Sequence, residues 1–302
     1  MLGGMKAPFS RRHFLSTGSI AAVTASLAAR LGAADEASGL KGRINHSVCK
    51  WCYEKVPFET LCKASKEMGI TSIDLIDPPD FELAKKYGLT SAMVSFPTIA
   101  GPNGEKVGSI PHGFNQPEFH DLLVKAYEPL LKASADAGMK KVICFSGNRH
   151  GMDDETGLKN CAAGLKRLLP AAEKSGITLV MELLNSKVNH PGYMCDNSRW
   201  GIELVKAISS DHFKLLYDIY HMQIMEGDVI ATIRNGHQYF VHYHTGGVPG
   251  RHEIDDTQEL YYPAIMKAIA DTGYKGWVAQ EFIPARPDPL ASLKQAVGIC
   301  DV

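Results

Sequence analysis

The chain has 302 residues, of which 45% are hydrophobic and 22% charged, and its formal net charge is -1. That profile belongs to a soluble globular protein long enough to bury a sizeable core. It offers no global field for nucleic acid or an anionic membrane, since both reward a basic surface, so chemistry on a small molecule is the expected class of function.

Taken in chain order, Ser10-Arg11-Arg12-His13-Phe14-Leu15 leads into an apolar, small-residue run from Ile20 to Ala29 that contains no acidic residue. This reads as a twin-arginine export signal. The run is shorter than the about twenty residues a membrane span needs, and Gly32-Ala33-Ala34 offers small residues for cleavage. Residues 1–34 are therefore expected to be the signal, 35–42 a linker and 43–302 the catalytic domain, delivered to the periplasm or the extracellular space. No other membrane association is expected. The seven cysteines at 49, 52, 62, 144, 161, 195 and 300 are scattered and odd in number, so they are no disulfide framework. Cys49-Lys50-Trp51-Cys52 has redox or metal spacing but no second CxxC to complete a zinc site. Packing or pocket lining is the expected role, with a redox pair as the alternative.

From Arg43 onward, short apolar or β-branched runs alternate with longer amphipathic ones, the pattern of parallel strands joined by helical crossovers. The predicted strands are 44–49, 72–75, 90–96, 141–145, 177–182, 213–218, 239–244 and 277–281. Predicted helices include 58–68, 118–137, 158–174 and 259–271, with Gly69, Gly138, Gly176 and Gly273 at or just beyond their ends. Pro129 should kink or split the second of these. Eight such units make a single (β/α)8 TIM barrel. The Gly- and Pro-rich segment Pro97–Pro117 is the largest strand-to-helix loop and is expected to cover an active site.

In this architecture the chemistry stands at the C-terminal ends of the strands. Four consecutive predicted strands deliver Glu182, Asp218, His244 and Glu281 toward that rim. A carboxylate ending an apolar strand is costly to bury unless it is paired or bound to a cation, and three together demand compensation. Oxygen-rich ligation with one imidazole suits Mn2+, Mg2+ or Co2+, and Zn2+ also fits. Beside this set stand His221, three residues after Asp218, and Arg251 in Gly250-Arg251-His252-Glu253. Both residue types donate to substrate oxygens. His46, Lys50 and Trp51, at the end of the first strand, are placed to wall the pocket and, for Trp51, to contact substrate, with a plain core role as the alternative for Trp51. Asn185, three after Glu182, is expected to contact substrate, to orient Glu182 or to form a turn. His112, His120, His150 and His190 lack ligand spacing, and most are expected to be exposed.

Five strings, Met181-Glu182-Leu183-Leu184-Asn185, Tyr217-Asp218-Ile219-Tyr220-His221-Met222-Gln223, His242-Tyr243-His244, Pro249-Gly250-Arg251-His252-Glu253 and Gly276-Trp277-Val278-Ala279-Gln280-Glu281, together resemble the hydroxypyruvate isomerase family of xylose isomerase-like barrels. The resemblance implies that Glu182, Asp218, His244 and Glu281 bind the metal, that His221 and Arg251 hold substrate oxygens, and that Glu182 and Glu281 are the catalytic acid/base pair. It implies an aldose–ketose exchange through an enediolate, such as hydroxypyruvate to tartronate semialdehyde. Two positions depart from the family pattern. His244 stands where Gln is frequent, and Val188 replaces the second substrate-gripping Glu of the related ketose 3-epimerases. The alternatives are a ketose 3-epimerase or inosose-type dehydratase on the same site, or an exported sugar-binding barrel without turnover. A dehydrogenase is disfavoured because neither GxGxxG nor GxxxxGK[ST] occurs. A barrel-type endonuclease would need many more metal ligands and a basic face. The expected partner is a small hydroxy-carbonyl or sugar substrate, with homo-oligomerisation left open.

Overall fold

The computed structural model describes residues 39–302. The expected export signal, and the expected linker up to residue 38, lie outside the described residues. Among the described residues no helix is long and apolar enough to cross a membrane.

The strands are β1 (Asn45–Cys49), β2 (Ser72–Asp74), β3 (Ile99–Ala100), β4 (Lys106–Val107), β5 (Lys141–Cys144), β6 (Thr178–Glu182), β7 (Phe213–Asp218), β8 (Phe240–Thr245) and β9 (Trp277–Gln280). Seven of them pair in one parallel sheet in the order β2-β1-β9-β8-β7-β6-β5. The gap between β2 and β5 is filled by the predicted third strand, which touches its neighbours only through isolated bridges. Thr90 pairs with Ser72, and Val94 pairs with both Ile76 and Val142. The ring therefore closes as an eight-staved barrel, but 90–96 is not a regular strand. The reason is local: the Ser91 N–H donates to Met139 Sδ and the Ala92 N–H donates to Ser72 Oγ, so side chains take donors that a ladder would use.

Helices cover the outside of this sheet, as parallel strands require. The longest, Asp154–Ser175, is capped by Asp153, whose side chain accepts from the Thr156 N–H, and it ends on Gly176 at φ 63°. Pro129 neither splits nor ends its helix, which runs from His120 to Asp136. It stands exposed on the outer face, as does Lys125 one turn earlier, so the carbonyl it leaves unpaired is open to water. The loop predicted between Pro97 and Pro117 folds back as the small antiparallel pair β3 and β4.

Side chains alternate across each strand, and on β1, β2 and β8 one face is polar although it is buried. Ser47, Asp74, His242 and His244 are each 0% exposed. They face one another inside the barrel, directly beneath the strand ends that carry the predicted site.

Candidate active site

Glu182 ends β6, Asp218 ends β7, His244 stands near the end of β8 and Glu281 directly follows β9. One ligand atom from each lies within 4.8 Å of the others, and all four residues are buried. His244 Nδ1 lies 2.8 Å from Glu281 Oε2 and 3.3 Å from Glu182 Oε1. Asp218 Oδ1 accepts from the His221 N–H at 3.0 Å, capping the short helix Ile219–Met225, while Oδ2 turns to Arg251. The strand-end geometry thus unites the four residues the sequence nominates.

Arg251 approaches from the loop after β8. Its Nη2 donates to Glu281 Oε2 at 2.6 Å and to Asp218 Oδ2 at 3.2 Å. The guanidinium is stacked between two rings, 5.1 Å from the centroid of Trp51 and 5.3 Å from that of Tyr220. The residue holds φ at 61°, a left-handed conformation that a non-glycine side chain adopts at a cost and that is found at functional sites. Trp51 Nε1 donates to Glu281 Oε1 at 2.8 Å, so both oxygens of Glu281 are engaged.

His221 is held as one tautomer. The backbone N–H of Asn185 donates to His221 Nδ1 at 3.1 Å, and Asn185 Nδ2 lies 2.6 Å from the same atom. Nδ1 is therefore the acceptor and the proton sits on Nε2. That Nε2 is buried without a hydrogen-bond partner, 3.7 Å from Asp218 Oδ2, and His221 does not itself line the cavity above the cluster. The Asn185 amide is otherwise engaged with Asn189 Oδ1 and with the Val188 and Asn189 N–H groups. It stands behind His221, with no polar atom left for a substrate.

The charges follow from this packing. Burial drives Glu182 above the usual carboxylate range, with the neighbouring Glu281 adding to the effect, and burial drives Asp218 well above it. Burial also opposes the charge on Glu281, but His244 and Arg251 outweigh it and hold that carboxyl well below the range. The His244 imidazole is raised well above its usual value, because Cys49, Glu281 and Asp74 around it overcome the cost of burial. Burial lowers His221 well below its usual value, with Arg251 adding to the effect, so it is the neutral donor described above.

These residues fit a divalent cation. Glu182 Oε1 is buried with no hydrogen-bond partner. Three carboxylates face a single guanidinium, which leaves two negative charges uncompensated when all are ionised and the imidazole is neutral.

Above the cluster is a cavity of about 350 Å³. Its polar side carries Glu182, Glu281, Arg251, His190 and Trp51, and its apolar side carries Leu75, Phe96, Ile110, Phe145 and Leu184. Phe96 and Ile110 come from the third stave and the long loop expected to cover the site. A larger groove of about 930 Å³ opens on the other side of Trp51, between 51–57 and 283–290, and its walls carry none of the four ligand-type residues.

Some expectations change. Of the four histidines expected to be mostly exposed, only His150 is; His120 is buried and bonded to the Phe114 carbonyl at 2.9 Å. His190 lines the cavity and packs 5.4 Å from the His221 ring. Neither His46 nor Lys50 lines the cavity: His46 lies 3.9 Å from Asp301, and Lys50 pairs with Asp80. All seven cysteines are free, and Cys49 Sγ touches His244 Nε2 at 3.7 Å. Sequence reading passed over Asp74 and His242, although His242 stands two residues before His244 and so shares its face.

A family model for xylose isomerase-like TIM barrels matches residues 62–299. The chain belongs to that family. It is 34% identical over 114 residues to the 2-oxo-tetronate isomerase of Cupriavidus necator, a match spanning 38% of this chain and 43% of that protein. It is 26% identical to the hydroxypyruvate isomerase of Escherichia coli over 72% of this chain and 84% of that one. A crystal structure described as AP endonuclease, family 2, from Brucella melitensis superposes with a TM-score of 0.70 at 26% identity, covering 83% of this chain and 96% of the other. Both named enzymes are isomerases, the class expected for this barrel.

Proposed function

We propose that this barrel is a divalent-metal-dependent isomerase of small hydroxy-carbonyl compounds, with hydroxypyruvate and 2-hydroxy-3-oxopropanoate (tartronate semialdehyde) as the pair it interconverts. The observation that carries the reading is the meeting of Glu182, Asp218, His244 and Glu281 within 4.8 Å, with Glu182 and Glu281 lining the cavity above. The relatives named hydroxypyruvate isomerase and 2-oxo-tetronate isomerase support the substrate class.

In this reading those four residues hold the ion, Mn2+, Mg2+, Co2+ or Zn2+. When bound, it supplies Lewis-acid polarisation of the substrate's carbonyl and adjacent hydroxyl oxygens, which makes the intervening C–H acidic. The chain's own groups do the rest. The His221 Nε2–H donates to a substrate oxygen, and its tautomer is fixed in advance by Asn185, so no reorganisation is needed as charge develops there. Arg251 holds Glu281 ionised and presents a guanidinium to the cavity. Glu281, ionised, and Glu182, whose buried carboxyl favours its protonated form, are two adjacent groups of opposite proton bias, the arrangement needed to take a proton from one carbon and return it to the next. The apolar side of the cavity keeps water from the enediolate.

The test is turnover by the purified, metal-loaded full chain in deuterated water against hydroxypyruvate, 2-oxo-tetronate, ketohexoses and inososes. Isomerisation of a short hydroxy-carbonyl acid with deuterium entering at carbon is expected. Turnover confined to ketohexoses or inososes would replace the reading with an epimerase or dehydratase, and metal binding with neither turnover nor exchange would make the barrel a binding protein. Export through the twin-arginine route, with 1–34 as signal, is proposed alongside. Lysine at Arg11 and Arg12 should retain the protein in the cytoplasm, and unchanged export would refute it.

A further inference from the structure

Apart from His244, the polar face beneath the site has no part in the reaction proposed above, yet it is highly organised. Asp74 on β2 is wholly buried in the barrel. Its Oδ1 accepts from Ser47 Oγ at 2.6 Å and from Ser72 Oγ at 3.2 Å. Its Oδ2 is hydrogen-bonded to His242 Nε2 and lies 3.6 Å from His244 Nε2. Two hydroxyls and one imidazole thus fix both oxygens, and the carboxylate cannot turn away from His244. On the far side of the His244 ring, Nδ1 looks at Glu281 and Glu182. The other group near Nε2 is the Cys49 thiol at 3.7 Å, a weak acceptor.

An imidazole that gives its Nδ1 lone pair to a cation carries its one proton on Nε2, and on that side of the His244 ring the carboxylate is Asp74. We infer that Asp74 is a positioning residue for His244: pinned against the Nε2 edge of the ring, it keeps Nδ1 aimed into the carboxylate cluster and favours the form of the ring that ligates a cation through Nδ1. Ser47, Ser72 and His242 act one step further back, by holding Asp74. The inference rests on the functional reading above, because it assigns His244 as a ligand through Nδ1. It adds that β2, a strand with no residue among the four, sets how strongly the cluster binds.

The experiment is a cobalt titration of the metal-free full chain by competition with a chromophoric chelator, together with the visible spectrum of the cobalt-loaded protein. Asp74→Asn keeps the shape and removes the charge. It should lower cobalt affinity by about 10- to 100-fold, the usual effect of losing such an outer partner, and should alter the cobalt ligand-field bands while far-ultraviolet circular dichroism stays unchanged. A folded D74N chain with wild-type affinity and bands would overturn the inference alone. Wild-type protein that takes up no cobalt would remove the functional reading beneath it. Should D74N fail to fold, the double substitution S47A/S72A, which unpins Oδ1, replaces it: a several-fold loss of affinity supports the inference and an unchanged affinity overturns it.

Discussion

Replacing Arg251 with methionine removes the one guanidinium that, among the described residues, reaches into the cluster, while keeping most of the side-chain volume. In the wild-type chain this group lies 2.6 Å from Glu281 and 3.2 Å from Asp218, is 9% exposed, and is stacked between Trp51 and Tyr220. Taking one partner from a buried ion pair costs about 3–5 kcal/mol, since the remaining charge is left uncompensated. A domain of this size shifts its melting temperature by roughly 2–4 °C per kcal/mol. The metal-free R251M chain should therefore melt about 6–20 °C below wild type in a calorimetric scan. A divalent ion should recover much of that loss, because it supplies the missing positive charge. Arg251→Lys should fall between the two, since an ammonium keeps the charge but neither stacks between both rings nor bridges both carboxylates as a planar fork. An R251M chain that melts within about 2 °C of wild type without metal would refute the claim that this arginine balances the cluster.

Three further outcomes follow from the same geometry. Glu182 and Asp218 are raised by burial and must lose their protons to bind a cation, so the apparent metal Kd should fall steadily as pH rises above the usual carboxylate range. The metal-free chain should lose stability over the same rise, because the folded state binds more protons there. Glu281, held low, works the other way, giving stability above its unfolded pKa that is lost as pH falls through its folded value; a pH-independent metal titration would contradict the assignments of Glu182 and Asp218. Asn185→Ala removes the side-chain bond to His221 Nδ1, and at about 0.5–1.5 kcal/mol per bond it should lower kcat/KM by roughly 2- to 13-fold with little change in metal affinity. Glu281→Gln should abolish turnover while the fold survives, and a near-normal rate in that variant would take Glu281 out of the mechanism.

The barrel was readable from the chain because alternation of strand and helix survives in composition alone, and because its active face follows from strand direction. Glu182, Asp218, His244 and Glu281 could be nominated for that reason: each sits where an apolar run stops. The third stave was misread as a regular strand, since hydrophobic content at 90–96 does not reveal that Ser72 Oγ and Met139 Sδ capture its N–H groups. Asn185 showed its residue type but not its direction, which depends on where the His221 ring comes to rest. Asp74 was the least legible. Its neighbours Ser47, His242 and His244 lie 27, 168 and 170 positions away in the chain, and only closure of the barrel brings them together.

The central claim is that four strand-end side chains share one divalent ion. Anomalous diffraction from crystals of the full chain equilibrated with Mn2+ tests it most directly. A single strong peak within bonding distance of Glu182, Asp218, His244 Nδ1 and Glu281 is the expected result. A peak seated instead among Asp74, His242 and Cys49, or no peak in the barrel at all, would contradict the account.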